Sequence, residues 1–423
     1  MRITMATREL DWRREAENSI LLKAVSQWRE EPERWFQGSY DRLPETVRVN
    51  PMSEEKDWVE SWLSDVGANR IPWFSGPGSA WEMPFERGSA EEEVKSLMTA
   101  LHDTGRITRQ EAVSMLPVLA LDPTPGQIVL DLCASPGSKT TQICEHLGDS
   151  GAVIANEVIS GRVNTLVTNV QRHASRTVLV VQHDGRHIPK VPGSGFDGVL
   201  VDVPCTGSGT TRKNPDVWGK WRPSSGRSLH SLQYDLLNRA IAVTKPGGRV
   251  VYSTCSLDPI ENEAVVSRVI AGGKVRVIPC EESLSMVPSK PGMANWPLLN
   301  DRGELDVESR SEEYLLPTKD KSVSSQLNDC LRVWNDEIGG GGFFLAVLER
   351  VQEEDVSREI IPFPSQKGFD DPASIPQPID DKRGRELREV WGSVPSNMWS
   401  RGKSLLWSCL LYTSDAADEW RSV

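Results

Sequence analysis

Two cysteines stand apart from the other five in this chain of 423 residues. Cys205 lies in DVPCTGSGT (Asp202 to Thr210) and Cys255 in YSTCSLDP (Tyr252 to Pro259), each a polar loop that follows an apolar run. A buried free cysteine is ordinarily a small hydrophobe, and Cys144 and Cys280 read that way. A thiol in polar loop chemistry is different, because its thiolate is a nucleophile. The cysteines at 133, 144, 205, 255, 280, 330 and 409 form no C-x-x-C pair that would suggest zinc or a redox dithiol. The six histidines, His183 and His187 among them, have no metal-ligand spacing, so no metal is expected.

A second constellation points to a cofactor. DLCASPGSK (Asp131 to Lys139) joins an apolar run to the helical stretch TTQICEHL. Gly137 and its small neighbours let backbone amides approach a ligand, and a new helix presents its positive end. The spacing is neither G-x-G-x-x-G nor a Walker loop. A tight turn without ligand is the alternative. Glu157 follows roughly 20 residues later, where an acid accepts both hydroxyls of a ribose. Asp184 ends the next run, where an acid receives an adenine amino group. Solvated carboxylates are the alternative at both, but three successive run ends together imply a nucleoside cofactor.

The elements that must position these groups are short β-branched runs at 128–133, 152–157, 178–183, 198–203, 249–254, 275–280 and 343–349. Continuous apolar strands alternating with helices predict a seven-stranded, mostly parallel, doubly wound α/β sheet. Such sheets bind ligands beyond the carboxyl ends of their strands. The predicted division is an accessory region over 1–90, an α/β domain that carries the candidate site over 91–350 and a linker with an incomplete C-terminal region over 351–423. Helices are expected from Glu91 to Gly105 and across ITRQEAVSMLPVLAL, the second interrupted near Pro117, and RELREVWGSV (385–394) could restart one. The Pro-rich IIPFPSQKGFDDPASIPQPIDD reads as linker, and LLYTSDAADEWRSV (410–423) reads as a truncated or sequencing-derived terminus. Gly339 to Gly342 read as a turn.

Composition is globular, with 26% charged and 38% hydrophobic residues, and no stretch has the roughly 20 apolar residues of a spanning helix. The start lacks the apolar centre of a signal peptide, and dispersed thiols suit a reducing compartment, nucleus or cytoplasm. The net charge of −12 argues mildly against nucleic acid. Its acid is concentrated at Glu91 to Glu93, Glu304 to Glu313 and Glu353 to Asp355, so a local basic groove is compatible with it. Arg212, Lys213 and Arg222 could hold phosphates there or simply be solvated. Trp218 and Trp221 could stack bases or fill core.

The segments DLCASPGSKT, FDGVLVDVPCTGSGT and GGRVVYSTCSLDPIENE resemble the cofactor loop, Pro-Cys motif and Thr-Cys motif of the Nop/Sun family of RNA cytosine-5 methyltransferases. The likeness runs from about Ile107 to Glu263, resumes in GGFFLAVLE and extends weakly to LPETVRVNP. ITRQEAVSMLP and TRKNPDVWGKW are most similar to the eukaryotic branch that acts on transfer RNA.

The resemblance implies a Rossmann-like fold, S-adenosylmethionine as cofactor, RNA and first of all transfer RNA as partner, and a monomer away from membranes. It also implies that Cys133, Ala134, Ser135, Pro136, Gly137, Ser138, Lys139, Glu157, Asp184 and Asp202 contact the cofactor or the catalytic centre. Cys255 would be the nucleophile, Cys205 would assist product release, and Asp202 would serve the base near N3. Ser135 replaces a usual alanine, Glu157 a frequent aspartate, and ISGR (159–162) lacks an acid often found there. These changes predict altered affinity, not lost activity. The competing readings are a ribosomal or messenger RNA substrate, a DNA cytosine-5 methyltransferase attacking through Cys205, and a non-catalytic RNA-binding scaffold. The Thr-Cys motif speaks against the DNA enzyme.

Overall fold

The computed structural model describes residues 13–280, 284–306, 313–351, 377–394, 398–401 and 404–407. The expectations for the chain start, the Pro-rich linker up to residue 376, Cys409 and the stretch 410–423 lie outside the described residues.

Strands β1 (Pro44–Val49), β2 (Asn69–Arg70), β3 (Ser79–Glu86) and β4 (Ile107–Arg109) form an antiparallel N-terminal sheet in the order β2-β3-β1-β4. Val47, Val49, Leu63, Met83, Met98 and Ile107 make its core with the helices Lys56–Asp65 and Glu92–Asp103. The second helix, expected across ITRQEAVSMLPVLAL with an interruption near Pro117, is confined to the end of that stretch. The first residues of the stretch form β4, with Val47 opposite Arg109 and Val49 opposite Ile107. A 3₁₀ turn over Ala112–Met115 follows, then a helix over Leu116–Leu121 with Pro117 in its first turn, where a missing N–H is tolerated. The N-terminal sheet thus takes its fourth strand from beyond residue 90.

All seven apolar runs form strands: β5 (Ile128–Asp131), β6 (Ala152–Asn156), β7 (Val178–Val181), β8 (Phe196–Asp202), β9 (Thr244–Thr254), β10 (Val275–Val277) and, after two short additions, β13 (Phe343–Arg350). The additions are β11 (Lys290–Pro291) and β12 (Leu331–Val333), too short to register as a hydrophobic pattern. The order is β11-β12-β13-β9-β8-β5-β6-β7, with β10 beside β13. The five strands from β9 to β7 are parallel, and β13 runs antiparallel to β9. From β5 the chain winds to β6 and β7 on one side and to β8 and β9 on the other. The switch point therefore lies between β5 and β8, and their carboxyl ends open the ligand crevice.

Successive strand residues bury on opposite faces. Val129, Leu200 and Val251 pack with Leu116, Ile143 and Leu166, whereas Leu130, Val201 and Tyr252 pack with Leu237, Ile241 and Val265. Coverage of both faces explains why these strands read as unbroken apolar runs.

The helices Ile20–Trp28 and Pro32–Gly38 place Trp28 and Trp35 against Trp221 and Trp218, with ring centroids 5.7 and 5.4 Å apart. Trp218 and Trp221 are buried core. Near the end, the helix Asp381–Trp391 covers most of RELREVWGSV, and β14 (Gln377–Pro378), β15 (Met398–Arg401) and β16 (Ser404–Trp407) pair antiparallel. Among the described residues no helix is long and apolar enough to cross a membrane. No group of three His, Cys, Asp or Glu side chains among them is arranged to hold a metal.

Candidate active site

Strands β8 and β9 are parallel neighbours with Asp202 opposite Ser253, and Val203 N donates to Ser253 O. The loops that follow therefore leave the sheet side by side. Cys205 and Cys255 meet with their sulfurs 3.3 Å apart, both half-buried. Lys139, in the first turn of the helix that follows the β5 loop, donates to Asp202 Oδ2 at 2.8 Å, and Ser253 Oγ donates to Asp202 Oδ1 at 2.7 Å. Three strand ends thus converge on one cluster.

Its electrostatics separate the two thiols. The Cys205 thiol is held well above its ordinary pKa, first by its hydrogen bond to Cys255, then by burial and by the charges of Cys255 and Glu261. Burial works against the Lys139 ammonium, yet Asp202, Asp131 and Cys255 outweigh it and raise its pKa. Lys139 is therefore the cation that faces Cys255. The other thiols among the described residues, Cys133, Cys144, Cys280 and Cys330, are raised as well. Burial, then Asp131, pushes Cys133 up, and burial pushes Cys144 and Cys280 up to about 12.

The loop after β5 is shaped by its own backbone. Ala134 N donates to Asn156 O, Ser135 Oγ to Arg162 O, Arg162 Nη2 to Ser135 O, and Asn169 Nδ2 to Pro136 O. Ser135, where an alanine is usual, fastens the loop to the helix Ser138–Leu147's neighbour, Ser160–His173. Gly137 sits at φ +108°, and a Cβ there would press on Leu166 at 3.0 Å. It caps the helix Ser138–Leu147 without a side-chain bond, so the first amides face outward. Asp131 is buried, with Oδ2 accepting from Thr140 Oγ1 at 2.7 Å and Oδ1 unpartnered. Burial, opposed mainly by Thr140, pushes its carboxyl up to about 7.

Glu157 and Asp184 follow β6 and β7 as expected, each already engaged. Glu157 accepts from Ile159 N at 2.9 Å and lies 3.5 Å from Arg162. Asp184 caps the turn Gly185–His187 and accepts from the backbone and guanidinium of Arg186, which holds its carboxyl down at about 2.

A cleft of about 370 Å³ opens between the two sheets. One wall is Leu43 to Thr46, Arg87 and Ile107 to Glu111; the other is Pro136 to Lys139, Asp202, Lys213 and Cys255. The nucleophile candidate, the Lys139–Asp202 pair and the edge of the cofactor loop all face it.

A protein-family model described as 16S rRNA methyltransferase RsmB/F matches residues 118–349, which contain this entire cluster. The chain belongs to that family. The multisite-specific tRNA:(cytosine-C(5))-methyltransferase of Saccharomyces cerevisiae is 35% identical over 309 residues, 67% of this chain and 45% of that protein. The tRNA (cytosine(34)-C(5))-methyltransferase of Drosophila melanogaster is 36% identical over 76% of this chain and 48% of its own. Ribosomal RNA small subunit methyltransferase F of Escherichia coli is 33% identical over 76% of this chain and 60% of its own. The chain spans about half the length of the tRNA relatives it matches. Among solved structures, a methyltransferase homolog from Pyrococcus horikoshii aligns at 28% identity with a TM-score of 0.59, covering 78% of this chain and 93% of that one. NSun6 from the same organism, solved with SFG, shares the fold at 20% identity and a TM-score of 0.58, over 76% of this chain and 95% of that one.

Within this RsmB/F-type domain, some sequence expectations change place. Arg212 is no phosphate ligand, because its guanidinium donates to the carbonyls of Asp41, Arg42, Asn335 and Gly340. Arg222 bonds the carbonyls of Gly219 and Trp221. Of the three cations named after the Pro-Cys loop, Lys213 alone lines the cleft. The glycine turn is a docking surface: Gly342 N donates to Gly209 O, and a Cβ on Gly209 would meet Gly342 O at 2.3 Å.

Arg48 is the residue that sequence reasoning missed most completely. It lies in the weakly similar segment LPETVRVNP and is fully buried. Its guanidinium bonds Glu145 at 2.5 and 2.9 Å, Thr141 Oγ1 at 3.1 Å, Ser138 O at 3.4 Å and Gln110. His173 Nε2 lies 3.1 Å from Glu145. Burial opposes the Glu145 carboxylate, but Arg48 and then His173 outweigh it and lower its pKa. Only an arginine breaking the apolar alternation of β1 hinted at this.

Proposed function

We propose that this protein transfers a methyl group from S-adenosylmethionine to carbon 5 of a cytosine in RNA, transfer RNA foremost, through a covalent bond between Cys255 and the base. The observation that carries this reading is the 3.3 Å pair of thiols beside Lys139–Asp202 at the wall of the cleft. The names of the yeast and fly relatives support transfer RNA over ribosomal RNA. Dispersed cysteines suit a reducing compartment, so our reading places the protein in nucleus or cytoplasm, as a monomer.

S-adenosylmethionine fits the cradle. Outward amides after Gly137 suit its carboxylate, the orphan Asp131 oxygen lies at the same loop, and Glu157 suits the ribose. When bound it supplies an electrophilic methyl. The protein must make carbon 5 of cytosine nucleophilic, and adding the Cys255 thiolate to carbon 6 does so by forming an enamine. The Lys139–Asp202 pair offsets the charge that develops at N3, its ammonium stabilising that charge and its carboxylate holding the base edge. The base must leave its stack to enter the cleft, which is easiest from a loop.

The thiol pair also times the last step. The largest cause of the raised Cys205 pKa is Cys255 itself. Once Cys255 sulfur is bonded to carbon 6 that opposition is relieved, so the Cys205 thiol gives up its proton to solvent more readily and stands as a thiolate. It can then take the carbon 5 proton, and the Cys255–C6 bond breaks with its electrons returning to sulfur.

Incubation with transfer RNA transcripts and labelled cofactor tests the assignment. Cys205→Ser should accumulate a denaturation-resistant RNA adduct and Cys255→Ser should form none. The opposite pattern would mean attack through Cys205, and absence of methyl transfer despite cofactor binding would mean a scaffold. A 16S rRNA transcript methylated faster than transfer RNA would overturn the substrate preference.

A further inference from the structure

Both thiols sit on loops, and loops alone do not hold two sulfurs at contact distance. Behind them lies Glu261, fully buried, which falls at the end of the Thr-Cys segment but has no part in the mechanism above. Its Oε1 accepts from Thr206 N at 2.9 Å and Gln233 Nε2 at 3.0 Å. Its Oε2 accepts from Thr206 Oγ1 and Ser256 Oγ, both at 2.5 Å. Thr206 follows Cys205 in sequence and Ser256 follows Cys255. One carboxylate oxygen is therefore shared by the residues next to the two thiols.

The surroundings fix that oxygen in turn. Gln233 Nε2 also donates to Pro204 O, Trp221 Nε1 donates to Thr206 Oγ1, and Tyr252 OH donates to the Glu261 carbonyl. No ion pair to Glu261 occurs among the described residues, so its acceptors serve neutral donors that position rather than neutralise. Burial and then Glu261 push the nearby Asp258 carboxyl up to about 8.

We propose that Glu261 is a positioning residue for methyl transfer: its carboxylate ties the Thr206 and Ser256 loops together and so sets the spacing of Cys205 and Cys255. This rests on the two-thiol reading above. An acid suits the task because a carboxylate oxygen accepts two hydroxyls at once. Glutamine in its place would present an amide nitrogen, a donor, to one of the two loops. Positioning errors of about 1 Å reduce rates on the order of 10²-fold.

The test uses the full chain with transfer RNA transcripts containing either cytosine or 5-fluorocytosine, which traps the covalent adduct. Glu261→Gln should lower kcat, and the rate of adduct formation on the fluorinated RNA, by roughly tenfold or more. KM for RNA and cofactor affinity should stay within about twofold of wild type, a split that general loosening of the fold would not give. Thr206→Val, which keeps Glu261 and removes one shared hydroxyl, should fall between, and Thr206→Ser should restore the rate. Glu261→Gln and Thr206→Val proteins with wild-type kcat would overturn the proposal, as would rates that fall only in proportion to lost cofactor binding. If Glu261→Gln does not fold, the valine and serine variants decide alone. Cys255→Ser run in parallel separates the two claims: an adduct in that variant sinks the two-thiol mechanism, whereas its absence leaves Glu261 as the only point at issue.

Discussion

At the seam between the two sheets a buried guanidinium meets a buried carboxylate; beneath the thiols a buried carboxylate meets only hydroxyls and amides. Arg48 and Glu145 join bodies that are far apart in sequence, so each charge depends on the other for its solvation. Glu261 joins two loops that already leave adjacent strands, and its partners are neutral donors rather than a counter-charge. Charge at the first place secures the fold, and at the second it secures a distance. Mutations should therefore separate stability from rate according to which place they touch.

The largest effect is expected at the seam. Arg48→Met leaves Glu145 buried without its guanidinium and should cost about 3–5 kcal/mol, read from the urea midpoint. The double variant Arg48→Met/Glu145→Leu should recover much of that loss, because a buried pair replaced by apolar groups is often close to neutral. A double variant as unstable as the single one would mean that the seam does not rely on paired charge. Next, Lys139→Met should leave the urea midpoint within about 1 kcal/mol of wild type while methyl transfer falls roughly 10²-fold, as for loss of one preorganised charge in an active site. Equal loss in both measurements would erase the contrast.

Asp131 gives a smaller effect with a definite sign. Its folded pKa of about 7 lies above that of an ordinary carboxyl, so at intermediate pH the folded chain keeps a proton that the unfolded chain has released. Stability from this group is complete at low pH and is lost as pH rises toward 7. Asp131→Asn should flatten the fall in unfolding free energy measured between about pH 4 and 7; an unchanged slope would contradict it. The smallest effect belongs to Lys213→Ala, which should weaken RNA binding a few-fold and reduce the salt dependence of log Kd by about one unit. No change in the salt slope would remove Lys213 from the RNA path.

The sheet and both cysteines were legible because each signal is local. An apolar run followed by a polar loop places Cys205, Cys255 and Lys139 at strand ends, and parallel winding brings those ends together. What could not be read depends on partners distant in sequence. Arg48 and Glu145 are 97 residues apart, and Thr206 and Glu261 are 55 apart. Arg212 followed a catalytic motif, yet loop carbonyls needing donors claimed its guanidinium. Strand β4 was hidden in a helical-looking stretch because pairing with β1 overrides the local preference of Ile107 to Arg109.

The contact between Gly209 and Gly342 has a consequence for how the chain is made. Gly209 N donates to Cys255 O at 2.9 Å, Gly342 N donates to Gly209 O at 2.8 Å, and Arg212 reaches back to Asp41. A ribosome releases both cysteines well before it reaches Gly342. The two thiol loops can therefore meet as soon as β8, β9 and Glu261 are made, but the backbone contact that braces Gly209 from outside arrives only with the last strand of the sheet.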